Sequence, residues 1–256
     1  IFSPNNYANH LNIIPNNNRN TKSYLLLVKL VFDDYHVNEI NRVELISNFL
    51  FYKEYGIKLN KSANFEQIKS LNLDIQTKNT IHRAITYNNI ETFIAFTERE
   101  GFDKDQAFES DLYPHHYERY SLLELCCYHG AVDCFKLLRT KFNSEITREC
   151  LDLSFLGGNQ EIMSECLKYQ KPDRWCMENA IISHNIDFVT FLMNEYSIKI
   201  NLRYCEKYNN LETFLVYFDQ TNDIGKCFVY SAMFNIPSLC EYFLSNGANI
   251  NEKNND

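Results

Sequence analysis

Asn88-Asn89-Ile90-Glu91-Thr92-Phe93 returns 121 residues later as Asn209-Asn210-Leu211-Glu212-Thr213-Phe214. A second pair, Glu54-Tyr55-Gly56-Ile57-Lys58-Leu59-Asn60 and Glu195-Tyr196-Ser197-Ile198-Lys199-Ile200-Asn201, is separated by 141 residues. Four periods of about 30 residues, or five of about 28, produce such separations, and periods of that size belong to stacked helical units. The unit recurs between the copies as a short helix, a turn carrying Asn, Gly or His, and a second apolar helix. The turns fall at Asn88-Asn89, Gly130, Gly158-Asn159, His184-Asn185, Asn209-Asn210 and Asn235. Four residues before each stands a small side chain: Ala84, Cys126, Ser154, Ala180, Cys205 and Ser231, at intervals of 42, 28, 26, 25 and 26. A small residue held at one place lets the first helix of each unit approach its neighbours closely.

The rest of the chain is organised around this series. Residues 1–22 are Asn-rich with Pro4 and Pro15, an irregular lead-in. Residues 23–79 form an N-terminal helical cap. Its first helix uses the apolar run Tyr24 to Phe32. Its second places Ile40, Val43, Ile46, Phe49 and Leu50 on one face and stops at Gly56. Residues 80–256 hold the helical units. The one long interval places its excess in residues 101–120, read as a surface loop containing Asp103, Lys104, Asp105, Pro114, His115 and His116. The chain starts at Ile1 and stops at Asn251-Glu252-Lys253-Asn254-Asn255-Asp256, so it is read as truncated before further units. On that reading Leu239, Tyr242, Phe243 and Leu244 of the last pair lack a neighbour.

Ser121-Leu122-Leu123-Glu124-Leu125-Cys126-Cys127-Tyr128-His129-Gly130, Ile81-His82-Arg83-Ala84 and Gly247-Ala248-Asn249-Ile250-Asn251 together resemble the ankyrin repeat. That family reads Thr-Pro-Leu-His-x-Ala-Ala-x-x-Gly, an apolar helix, then Gly-Ala-Asp-x-Asn. Most units here are 25 to 28 residues long, and His82 alone occupies the family's His position. The chain is similar to the divergent N-terminal helical region of trichomonad ankyrin-repeat proteins. The resemblance implies an all-α, ankyrin-like α-solenoid of degenerate helix-turn-helix repeats with shortened hairpins. It also implies that the two residues before each turn face a concave groove: Thr86 and Tyr87, Tyr128 and His129, Leu156 and Gly157, Ile182 and Ser183, Lys207 and Tyr208, Met233 and Phe234. Aromatic residues recur in that row and are favoured at protein interfaces. A partner-binding surface is therefore expected at Tyr87, Tyr128, His129, Ile182, Ser183, Lys207, Tyr208, Met233 and Phe234. The competing expectation is that neighbouring units or the long loop bury the row.

Composition narrows the function. Seven Gly and five Pro leave little material for the turns of an all-β fold. A net charge of -8 argues against nucleic acid and anionic membrane surfaces as partners. The apolar run Tyr24 to Phe32 is far short of the roughly 20 residues of a membrane-spanning helix. Nine Cys, an odd count inside apolar helical patterns, read as reduced thiols of a cytoplasmic protein. Cys126, Cys127, His129 and Cys134 lack the usual zinc spacing and read as small core residues. A Cys nucleophile served by His129 or His184 lacks a family signature. His115 and His116 with Asp111 and Glu118 read as a solvated loop rather than a metal site. No phosphate loop, Ser elbow or nucleotide fingerprint occurs. No cofactor, metal or small-molecule substrate is expected. The sequence points to a non-enzymatic protein-protein interaction module that binds a protein or peptide. Its alternatives are a structural cap for following repeats and a Cys/His enzyme.

Overall fold

A computed structural model describes residues 14, 17, 19, 21–40, 43–68, 80–109, 113 and 119–253. The lead-in expected over 1–22 lies largely outside these residues, as do the end of the cap (69–79) and Asp111, Pro114, His115, His116 and Glu118 of the loop. The fold is all-α. Helices α1 (Thr21–Asp34) and α2 (Leu45–Tyr55) precede six helix pairs. The pairs are α3 (Ile81–Thr86) with α4 (Ile90–Thr97), α5 (Leu122–His129) with α6 (Val132–Phe142), and α7 (Arg148–Gly157) with α8 (Gln160–Cys166). They continue as α9 (Arg174–Ile182) with α10 (Ile186–Tyr196), α11 (Leu202–Lys207) with α12 (Leu211–Thr221), and α13 (Ile224–Ser231) with α14 (Pro237–Ser245). The first cap helix contains the expected run Tyr24 to Phe32, while the second is shifted, since Ile40 and Val43 precede α2 rather than lying on it. Among the described residues no helix is long and apolar enough to cross a membrane.

Each pair is built by the same local chemistry. A polar side chain caps the first helix by accepting a main-chain N–H one turn in: Thr80, Ser121, Thr147, Asp173, Asn201 and Asp223. The helix then ends in a left-handed residue, namely Asn88, Gly130, Gly158, His184, Asn209 or Asn235. Asn and Gly tolerate that conformation best, which explains the turn residues read from the sequence. Asn89, Asn159, Asn185 and Asn210 follow immediately and cap the second helices.

The small residues have two jobs at these turns. In four of the turns the main-chain carbonyl of Ala84, Cys126, Ala180 or Cys205 accepts the N–H of the residue just past the left-handed one, at 2.8–3.2 Å. All six small side chains are buried. The first helices α3, α5, α7, α9, α11 and α13 stack in series, each on the next. Second helices stack likewise from α4 through α6 to α8, and from α10 to α12. One apolar core runs along the whole series, and a separate small core forms around Ile14, Leu25, Val28, Ile40, Phe51 and Leu59.

Residues 101–120 depart from a plain surface loop. Strands β1 (Ala107–Phe108) and β2 (Tyr120–Ser121) pair antiparallel. Tyr113 and Tyr120 are buried there, with Tyr113 edge-on to Tyr128.

Candidate interaction surface

The residues before each turn do not form one open aromatic groove. Tyr128 is 0% exposed, Tyr208 2% and Phe234 8%, and Ile182 is buried as well. These four belong to the core. Tyr87 is 57% exposed and Met233 56%, Lys207 is exposed, and His129 and Ser183 are half-buried. The expectation of an accessible aromatic row is therefore corrected at Tyr128, Tyr208 and Phe234. The physical reason is that the chain covers its own row.

Tyr113 does most of the covering at α5. Its ring lies 4.9 Å from that of Tyr128 and 5.7 Å from that of His129. Its hydroxyl and His129 Nε2 are hydrogen-bonded at 2.7 Å. One pair further on, Arg19 donates through Nη1 to the main-chain carbonyl of Leu156 at 2.7 Å. Phe214 fills the same role for Phe234, with centroids 5.0 Å apart. Tyr208 donates its hydroxyl to Glu178 Oε1 at 3.1 Å.

Burial pushes the His129 imidazole down to about 3, and the Arg19 and His82 charges act in the same direction. The folded state therefore holds this imidazole neutral where an unfolded chain, with an ordinary pKa of about 6.5, protonates it. Stability from this group is complete above about pH 6.5 and declines as pH falls toward 3. By about pH 5 the expected loss is about 2 kcal/mol. Urea midpoints measured across this range should fall more steeply for the natural chain than for His129→Gln. Parallel curves would remove His129 as the source.

Three carboxylates hold successive pairs together, each two residues before the small side chain. Glu124 accepts the Ser121 N–H at 2.8 Å and the Thr147 hydroxyl of the next pair at 2.7 Å. Asp152 accepts the Cys176 thiol of the next pair at 3.1 Å and pairs with Arg148 at 3.2 Å. Glu178 accepts from Tyr208 of the next pair. Burial raises the Asp152 pKa, opposed by Cys176 and Arg148. Turn side chains tie pairs as well. Asn88 receives the Asp133 N–H at 3.1 Å, and His184 Nε2 donates to the Tyr208 carbonyl at 3.0 Å. Asn210 donates to the Ile181 carbonyl at 2.9 Å. The sequence signal for the ladder is an acid recurring at intervals of 28 and 26, in phase with Cys126, Ser154 and Ala180. Sequence reasoning passed over it.

The chemistry-bearing clusters are placed as follows. All nine cysteines are free, and eight are buried. Burial raises the Cys126 and Cys127 thiols well above their usual range and Cys134 to about 12. Cys150 is shifted down, first by a hydrogen bond with Cys127 and then, against the opposing effect of burial, by Thr147; none of the groups acting on it is an imidazole. Among the described residues, one group brings three metal-ligand atoms within 4.8 Å of one another: Asp152, Asp173 and Cys176. The Arg148 guanidinium stands among them, 2.6 Å from Asp173, where a cation would sit. Cys126, Cys127, His129 and Cys134 do not converge into such a group. A thiol reagent should therefore modify Cys240 first in the native protein and all nine cysteines after denaturation. Rapid native reaction of several thiols, or fewer than nine in denaturant, would contradict this arrangement.

A protein-family profile described as a domain of unknown function (DUF3447) matches residues 142–217. The match runs from the end of α6 into α12 and contains Asp152 and Glu178. No curated protein and no solved structure matches this chain.

Proposed function

We propose that this chain is a non-enzymatic, ankyrin-like α-solenoid with a structural role, a cytoplasmic segment that supports and caps further repeats. The observation that carries the reading is the self-covered row: Tyr113 and Arg19 of the chain itself occupy the face a partner would need at α5 and α7. The last pair adds support. Tyr242 and Leu244 of its second helix are exposed, and Met233 is exposed as Lys207 is one pair earlier, whereas Tyr128, Leu156 and Ile182 are buried. That pattern suits a face that receives another helix pair. Fusing two regular ankyrin repeats after Asp256 should raise the midpoint of thermal unfolding of residues 1–256. An unchanged midpoint would overturn the capping role.

A second reading keeps the chain as a protein-protein interaction module. It is favoured by the exposure of Lys207 and Met233 and the partial exposure of Ser183, which leave one member of each row pair accessible from α9 onward while Ile182, Tyr208 and Phe234 stay buried. A protein or peptide, rather than nucleic acid, membrane or a small molecule, is the partner that an extended helical surface fits.

A further inference from the structure

The α9 and α11 helices expose three cations and an aromatic ring on an otherwise acidic chain. Trp175, the one tryptophan, is 43% exposed with the Arg174 guanidinium 4.8 Å above its ring. Arg203 and Lys207 are exposed on the next stacked helix, and the Lys207 ammonium lies 4.7 Å over the Tyr208 ring. Tyr204 lies between, half-buried and stacked on Tyr208. Its hydroxyl is raised in pKa first by desolvation and then by Glu178, while Arg174 and Arg203 pull the other way. Helices α9 and α11 pack on each other, which puts Arg174 and Arg203 on adjacent stacked helices.

The acids nearby do not neutralise these cations. Asp173 is taken by Arg148 at 2.6 Å, and Glu178 is taken by the Tyr208 hydroxyl at 3.1 Å. Glu206 is half-buried. Among the described residues Arg174, Arg203 and Lys207 form no salt bridge, so their charge is free for a partner. The Tyr204 hydroxyl is held by Glu178 as well, so Tyr204 and Tyr208 turn toward the same carboxylate.

We propose that the face formed by Arg174, Trp175, Arg203, Tyr204 and Lys207 docks an extended, acidic peptide segment of a partner protein. Packed helices lie about 8–10 Å apart, and alternate side chains of an extended strand about 6.6–6.8 Å apart. Two carboxylates of one short peptide thus reach the cations of both helices. Trp175 supplies flat apolar area for the peptide to lie on. This goes beyond the capping role, which stands or falls on the fusion experiment.

Trp175 makes the test direct, because its fluorescence reports on this face alone. The full chain is titrated at low salt with a Glu-rich decapeptide free of tryptophan. A saturable change is expected, weakened by added salt. Arg203→Glu combined with Lys207→Glu should weaken it at least tenfold, with Lys199→Glu as the control that leaves it unchanged. Both replaced residues are exposed, and helix content measured by circular dichroism checks that the fold persists. Should the double variant lose it, Lys207→Gln alone is used, with a smaller loss of affinity expected. No saturable change, an equal response to a Lys-rich decapeptide, or charge reversal without effect overturns the proposal. Equal binding of an oligothymidylate of the same length overturns it in favour of a general polyanion surface.

Discussion

Gly157→Ala is expected to destabilise the protein by about 3 kcal/mol, at the upper end for overpacking. A Cβ at residue 157 would stand 1.9 Å from the Cys127 main-chain oxygen and 3.2 Å from that of Tyr128. Both contacts are backbone, so no side chain can swing aside. Helix α7 must move off α5, and the Tyr128, Leu156 and Phe155 side chains buried around that seam move with it. The sign is informative. Gly157 has no left-handed φ, and Ala is favoured over Gly inside a helix by about 1 kcal/mol. Without the close approach, the substitution would stabilise. Equilibrium unfolding in urea decides between the two, and a midpoint at or above that of the natural chain would show that the seam is looser than described.

The periodic part of this fold was legible because it is local. Capping residues, left-handed turns and small packing positions are all set within about ten residues, and Ala84 through Ser231 mark every pair. Gly157 was visible only as a member of the row before the turns. Its role depends on Cys127, thirty residues away, so spacing within one unit could not reveal it. Tyr113 was hidden for the same reason. Nothing in residues 101–120 announces that one tyrosine leaves the loop to cover Tyr128 and His129. The carboxylates Glu124, Asp152 and Glu178 occupy one phase of the repeat, but they look like solvated helix surface until their donors in the next pair are seen. Function was the least legible, since exposure of the row rests on these long-range contacts.

Tyr128→Ala is expected to cost about 3–5 kcal/mol, the range for emptying a buried aromatic site. The ring is fully enclosed, and Tyr113 rests on it edge-on, so its removal also leaves the Tyr113 ring without that partner. Tyr208→Ala loses a comparable buried ring together with the hydroxyl that reaches Glu178. Tyr208→Phe separates the two losses and should cost about 1.5–3 kcal/mol, the value of a hydrogen bond to a charged group. Tyr87→Ala is the contrast. That ring is exposed beneath Arg83, at 4.9 Å, and its loss should move stability by no more than about 0.5 kcal/mol. The ordering Tyr128 and Tyr208 far above Tyr87 tests whether the row is core or surface, measured as urea midpoints with no partner present. Near-equal small effects at all three would restore the open aromatic groove. With the expected ordering, partner loss in a Tyr128 and Tyr208 double variant would report unfolding, so binding must be tested at Lys207, Met233 and Trp175, where side chains can be replaced without opening the seam.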